Sequence, residues 1–486
     1  MARVCLVRPP FFKLYGIEKV HFPLSIGYLA SYLERGGHEV SFVDGEVFDY
    51  GLYEGILYKG IINAALFYAD PYFIERKFNV VGKVMEDPRH RVWDTLIGRI
   101  AAARPDVVGI SCYTINMTAV NIISERIKSE IGDIPVVLGG IHPTALPAET
   151  LEQVRAADFA VMGEGEVTLL DLVNDIGDGK RTGLHIAGVV ERGSADFKPR
   201  ELITDLDSIP FPKRDFYDKS NYIFGAPLLT SRGCPFSCTF CASHLMWGRK
   251  VRNRSVRNVI EELKVLAGKF DAGRIRILDD TFVLNKPWIM EFCAELKASG
   301  LKLSFNCSGR INTVDEDLFR VLSDSGFDSI AFGIESGSDR IVKSINKNID
   351  LSRVVDVIKT ANRYGFDTTS FYMTGHPGET AEDIRKSADL FIRSMSKRGE
   401  LSMLVPYPKT DAGERAVKQG FEFRVGDAYK MQHARNRVLF NMTQMPDAAF
   451  LAEHKRFERI IMRRNYMTLF KKMAKMAVRF ITGRLK

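Results

Sequence analysis

The sequence has no stretch of about 18 apolar residues, the length that a bilayer-spanning helix needs. Its start, Met1 to Pro10, offers only a short apolar run before charge and proline. That suits a first β-strand and not a secretory signal. Cysteine is scarce, at seven in 486 residues, and so long a chain can bury a large core without disulfides. Low-complexity tracts and short solenoid repeats are missing as well. The body also lacks excess charge. From Glu453 onward, eleven Lys or Arg face two Glu, a net of +9 against +8 for the whole chain, which leaves the remainder near −1. A basic nucleic-acid groove in the body is thereby not indicated, and no nucleic-acid partner is expected. The expected location is cytoplasmic, with reduced cysteines.

What is present is an average globular composition, 45% hydrophobic and 26% charged, over a length that suggests roughly two to four domains. Buried-type apolar runs at 3–7, 39–43, 107–111, 135–138 and 160–162 alternate with helical patterns such as 25–35 and 116–130. Such alternation predicts a doubly wound parallel sheet with right-handed crossovers, which binds ligands beyond the carboxyl ends of its strands. Those ends carry Pro9-Pro10, Asp44-Gly45, Ser111-Cys112-Tyr113-Thr114, Gly139-Gly140-Ile141-His142-Pro143 and Gly163-Glu164-Gly165. Five such ends on one side suggest a broad ligand platform. Residues from about 47 to 104 read as a helical insertion, and 181–222, with Pro210 and Pro212, as a linker. Six further strands are expected at 228–231, 274–278, 302–306, 329–333, 368–374 and 400–405, with helices between them. The expected fold class is therefore α/β. A Rossmann-like sheet at 1–180 is followed by a partial (β/α)6 barrel at 223–425 and a basic helical region at 426–486.

Cys234, Cys238 and Cys241 form a C-x3-C-x2-C run just after the first barrel strand. Three thiolates on one loop hold three irons of a [4Fe–4S] cluster and leave the fourth iron open. An open position suits catalysis, where a small molecule with an amine and a carboxylate could chelate the metal. A zinc site using a distant fourth ligand such as His244 is the structural alternative. Cys5, Cys112, Cys293 and Cys307 stand alone, and Cys5 and Cys307 read as small core residues.

The spacing, with Phe240 just before the last cysteine, resembles the radical S-adenosylmethionine (SAM) superfamily. Leu278 to Phe282, Ser308-Gly309-Arg310, Phe332 to Ser338, Thr374 to Thr380 and Pro406 to Thr410 match at the ends of later strands. Lys409 stands where that family usually has Gly. The resemblance implies that bound SAM accepts an electron from the cluster and yields a 5′-deoxyadenosyl radical. It also implies SAM contacts from Phe240, Asp279, Asp280, Ser308, Arg310 and Glu335. Asp279 or Asp280 would take the methionine amine, and Glu335 the ribose hydroxyls. Phe22 to Ala30, Gly139 to Thr144 and Met162 to Glu166 resemble the cobalamin-binding domain that precedes the radical domain in one large, class B methyltransferase-like subfamily. That implies a cobalamin site at Pro9, Pro10, Leu24, Ser111, Tyr113, Thr114, Gly139, Gly140, His142, Gly163, Glu164 and Gly165. The D-x-H-x-x-G motif is absent after the first strand, where Arg8-Pro9-Pro10-Phe11 stands, and His142 reads as a loop residue instead of a cobalt ligand.

The implied function is a cobalamin-dependent radical SAM methyltransferase acting on an unactivated carbon or phosphorus of a small molecule or lipid. The implied electron donor is a flavodoxin or ferredoxin. Alternatives are a cyclase or rearrangement enzyme with the same cofactors, and a cobalamin-binding sensor or scaffold. A methylthiotransferase would need a second cysteine trio. In the tail, Phe457, Ile460, Ile461, Phe470, Met473, Ala477, Phe480 and Ile481 recur at helical spacing among basic residues. That helix either packs on the barrel or lies on the inner membrane surface.

Overall fold

The computed structural model describes residues 1–16, 21–52, 71–180, 182–194, 197–216, 222, 225–422, 424–430 and 438–481. The part of the expected insertion at 53–70 lies outside them, as do the side chains of Ala477, Phe480 and Ile481. The chain forms two compact units: residues 1–235, 240–271 and 405–433 in one, and residues 236–239, 272–404 and 434–486 in the other.

In the first unit, β1 (Arg3–Arg8), β2 (Glu39–Asp44), β3 (Val107–Ser111), β4 (Val136–Gly139), β5 (Phe159–Val161) and β6 (Val189–Glu191) make one sheet in the order β2-β1-β3-β4-β5-β6. The first five strands are parallel, and β6 runs antiparallel to β5. Alternation within β1 shows why the strands read as unbroken apolar runs. Cys5 and Val7 join a core with Trp93, Ile97 and Val120, while Val4 and Leu6 join another with Ile26, Leu33 and Leu172. Both faces are buried under helices, so no polar alternation survives. The helix Leu24–Arg35 ends at Gly36 and Gly37, the latter at φ +85°. The helix foreseen at 116–130 is shorter, Met117–Arg126, because the chain widens into a π-turn over Ile127–Ile131. Strand order reverses between β2-β1 and β3-β4, so the crevice for a ligand lies outside the ends of β1 and β3.

Beyond these lie β7 (Ala226–Leu228) and a two-stranded ribbon of β8 (Ser231–Arg232) and β9 (Arg252–Asn253). The helix Val256–Lys269 follows, with Ser255 accepting the Asn258 N–H at its N-terminus.

The second unit holds five parallel strands, β10 (Arg274–Ile277), β11 (Ser304–Gly309), β12 (Phe327–Glu335), β13 (Asp367–Thr374) and β14 (Arg398–Met403), in the order β14-β13-β12-β11-β10. Helices Lys286–Ala298, Glu316–Asp324, Leu351–Arg363 and Ala381–Ser394 make the crossovers. Ile330, Phe332 and Ile334 are buried, while the alternating Ala331 and Gly333 are only half-buried.

The terminal helix, Asp447–Ile481, resolves part of the choice left by its sequence. Phe457 packs edge-on to Tyr372 and Phe391, with ring centroids 5.2 and 6.3 Å apart. The Asn465 side chain bonds both the N–H and the C=O of Gly399 at 2.9 Å, and Thr468 reaches the Lys397 carbonyl. The helix thus satisfies backbone groups along β14 that an open edge would expose. Farther on, Met467, Phe470 and Met473 are more than half exposed. No helix among the described residues is long and apolar enough to cross a membrane.

Candidate active site

The cluster loop leaves β8 through Gly233, at φ +100°. A Cβ there would stand 2.3 Å from the Lys250 carbonyl oxygen, so only glycine fits. Cys234, Cys238 and Cys241 are half-buried, whereas Cys5, Cys112, Cys293 and Cys307 are buried. Burial pushes the thiols of Cys112 and Cys307 far up, and Cys5 to about 11, which keeps those three protonated and inert. Accessible thiols on one loop are what a cluster needs.

In the second unit, Arg310 follows β11 and is buried. Its guanidinium stacks 3.7 Å from the centroid of the Phe236 ring, and one nitrogen lies 3.9 Å from the Cys238 sulfur. Asn346 donates to Ser237, and the Thr239 N–H to the Ile345 carbonyl, so the middle of the loop is held by backbone bonds. His244, offered as a zinc ligand, sits 3.1 Å through Nδ1 from the Cys241 carbonyl. Among the described residues, no three His, Cys, Asp or Glu side chains converge as a single-ion site. A cluster, which gives each thiolate its own iron, makes no such demand.

The residues expected around SAM divide. Asp279 and Asp280 diverge, the first buried and the second exposed. Ser308 is half-buried, on the alternation that also leaves Asn306 half-buried. Glu335 ends β12 at a register shift with φ +69°, and its carboxylate pairs with Lys347 at 2.9 Å. A non-glycine held in that region carries local backbone strain. Gly333 makes room for the pair, since a Cβ would stand 2.5 Å from Glu335 Oε1 and 2.7 Å from Lys347 Nζ.

On the platform of the first unit, the loops after β3 and β4 meet. His142 lies on the short helix Ile141–Ala145 and not in a loop, and it is buried. Its Nδ1 is 2.9 Å from Thr114 Oγ1, and burial pushes its pKa down to about 4. Gly139 and Gly163 have open space where a Cβ would stand, so a flat cofactor can lie against the backbone there. This fits a corrinoid ring. Pro9 and Pro10 are buried, and Ser111 is half-buried. Gly165 is closed off by Leu29, 3.2 Å from its would-be Cβ, and Gly140 by the Cys112 carbonyl at 2.6 Å. Two expected contacts have other partners. Leu24 packs in a core with Phe22, Tyr28, Leu206 and Tyr222. Glu164 is buried between Arg232 and Arg252.

A cavity of about 280 Å³ opens in this unit. Tyr113, Thr114, Ile115, Ile141 and Ala145 line it from the sheet side, Phe240, Cys241 and Ala242 from the cluster loop, and Tyr407 and Pro408 from the last turn. Lys409, next in sequence, adopts φ +57°, so the turn keeps a glycine-like conformation without glycine. Sequence reasoning passed over Phe236 and Lys347, whose places follow from their contacts with Arg310 and Glu335.

Residues 228–391 match the Radical SAM superfamily, and residues 61–173 the B12 binding domain. An uncharacterized methyltransferase of Pyrococcus horikoshii is 31% identical over 81% of this chain and 78% of its own. Cytidylyl-2-hydroxyethylphosphonate methyltransferase of Streptomyces wedmorensis is 25% identical over 90% and 85%. The solved structure of the radical SAM methyltransferase TsrM from Kitasatospora setae, with cobalamin and a [4Fe–4S] cluster bound, shares the fold, with a TM-score of 0.66 at 19% identity over 86% of this chain and 75% of that one. The chain belongs to the radical SAM superfamily, in the methyltransferase-like subfamily that carries a cobalamin-binding domain. It is a radical SAM enzyme whose cofactors are a [4Fe–4S] cluster, SAM and cobalamin.

Proposed function

We propose that the enzyme transfers a methyl group to an unactivated carbon or phosphorus centre of a small molecule or lipid, drawing electrons from a flavodoxin- or ferredoxin-type donor. The observation that carries this reading is the cavity. Its lining joins the loops after β3 and β4 to Phe240, Cys241 and Ala242, within one compact unit. Ile115, Ile141, Ala145 and Pro408 make it largely apolar. Such a lining excludes water from a radical and suits a substrate centre without ionisable groups. The cofactors supply the homolysis of SAM and the methyl carrier. The chain's own part is to bind and orient. Cys234, Cys238 and Cys241 hold the cluster, and Arg310 screens the charge at Cys238. Glu335 and one of Asp279 and Asp280 accept hydrogen bonds from the SAM ribose and amine. Gly139 and Gly163 leave the platform flat for the corrinoid.

The test uses SAM labelled on its methyl group, incubated anaerobically with the holoenzyme, a low-potential reductant and an extract of small molecules and lipids. Labelled product should appear together with equal 5′-deoxyadenosine and S-adenosylhomocysteine. 5′-Deoxyadenosine without label transfer would favour cyclisation or rearrangement.

The exposed end of the terminal helix supports a peripheral contact with an anionic lipid surface. Met467, Leu469, Phe470 and Met473 are exposed beside Lys471 and Lys472. Each basic side chain near such a surface contributes about 1 kcal/mol. Co-sedimentation with anionic vesicles should fall for Phe470→Ser with Met473→Ser, and for the native chain in high salt. Equal sedimentation of both chains would refute the contact.

A further inference from the structure

Glu164 and Glu166 directly follow the β5 turn, at the start of the helix Gly165–Gly177. Arg232 lies on β8, two residues before Cys234, and Arg252 is its register partner on β9. These four side chains form one buried set, each 2–6% exposed. Arg232 donates to Glu164 at 2.8 Å and to Glu166 at 2.5 Å. Arg252 donates to both oxygens of Glu164, at 3.1 and 2.8 Å, and to the carbonyls of Ile203 and Trp247. The Ile203 N–H adds a bond of 2.7 Å to Glu164. The Arg232 guanidinium also lies 4.9 Å from the Trp247 ring and 5.3 Å from Tyr28.

Two guanidiniums balance two carboxylates, so the set is neutral, with Arg252 Nε buried and without a hydrogen-bond partner among the described residues. A buried ion set of this kind adds little stability over an apolar replacement, but its fork geometry is directional. What it fixes is a relation between two segments. Both carboxylates stand at the start of the helix that follows β5, and both guanidiniums are on the ribbon that leads into the cluster loop. Gly233 has no freedom against Lys250, and the Cys234 N–H bonds the Gly248 carbonyl at 3.4 Å. The rigidity therefore continues into the first cluster cysteine.

We propose that Glu164, Glu166, Arg232 and Arg252 are positioning residues that set the separation of cobalamin and the iron–sulfur cluster. This rests on the reading that the turn after β5 borders the cobalamin. The test is pulsed dipolar EPR on the full-length holoenzyme with reduced cluster and cob(II)alamin, comparing the native chain with Glu164→Gln and Glu166→Gln. Iron, sulfide and cobalamin contents are measured in parallel. Glu166→Gln keeps an oxygen that accepts from Arg232 while removing the charge, so it is the milder change. Both variants should broaden or shift the distance distribution by about twofold in width, Glu164→Gln more than Glu166→Gln, as supporting contacts loosen. Cofactor contents of Glu166→Gln should stay native, which a merely unfolded variant would not show. Unchanged distributions in the variants that fold would overturn the proposal. A native chain that takes up the cluster but no cobalamin would overturn the reading beneath it, and that result is distinct from an unchanged distance.

Discussion

Replacing Arg310 with Met should make the cluster harder to reduce without emptying its site. The guanidinium nitrogen is 3.9 Å from the Cys238 sulfur, and the group is buried on the Phe236 ring. At an effective dielectric constant near 20, two unit charges at that distance interact by about 4 kcal/mol. An electron added to a cluster is shared among its irons, so about a quarter to a half of that interaction is felt, roughly 1–2 kcal/mol. For a one-electron couple that is a fall of about 40–90 mV. Methionine keeps much of the packing on Phe236, so iron content should stay native. The assay is an anaerobic redox titration of the cluster followed by EPR, in the native chain and in Arg310→Met and Arg310→Lys. Lysine restores the charge and should recover most of the shift. A midpoint unchanged within 20 mV, on the order of half a kcal/mol, would refute the electrostatic role of Arg310.

Gly333→Ala pushes a methyl group against the Glu335–Lys347 pair and should raise the SAM dissociation constant about tenfold, the cost of roughly one hydrogen bond, in an otherwise folded enzyme; equilibrium dialysis reads it, and unchanged affinity would remove Glu335 from the site. Burial pushes His142 and His376 down to about 4 and Glu379 up to about 8. The unfolded chain binds more protons at the two histidines between pH 4 and 6.5, so their contribution to stability rises with pH there, by about 1.4 kcal/mol per unit each. The folded chain binds more at Glu379 between about pH 4.5 and 8, so its contribution falls as pH rises. These three groups together place the optimum near pH 6.5, and Glu379→Gln should flatten the decline of the melting temperature toward pH 8. His142→Ala should leave the cobalt absorption spectrum unchanged; a shifted spectrum would mean a histidine ligand. Lys409→Gly should stabilise by about 1 kcal/mol by relieving a left-handed side-chain-bearing residue, visible as a higher melting temperature.

The parts of this fold that could be read from sequence are those governed by local pattern. The strand at 107–111 is a doubly buried parallel strand, so its apolar run is unbroken and its bounds are clear. The cysteine spacing carries its own chemistry and needs no tertiary context. The parts that escaped depend on partners far along the chain. Glu164 stands on a glycine-rich turn, and nothing local announces its partner Arg232, 68 positions away. Leu24, one residue after Pro23, gives no local sign of its core with Leu206 and Tyr222. His142 is displaced from loop to helix by a five-residue turn too short for periodicity to reveal. In the terminal helix, spacing gives an apolar face but not what covers it. The side-chain amide of Asn465 on Gly399 decides that for the first half.

The most direct measurement is made on the chain with Cys234, Cys238 and Cys241 all replaced by Ala. It is reconstituted anaerobically with iron, sulfide and cobalamin, then incubated with SAM and a low-potential reductant. The variant should keep cobalamin, bind no iron–sulfur cluster and form no 5′-deoxyadenosine, while the native chain binds about four irons and cleaves SAM. A variant that still carries the cluster and still forms 5′-deoxyadenosine would contradict the assignment of the active site to that loop.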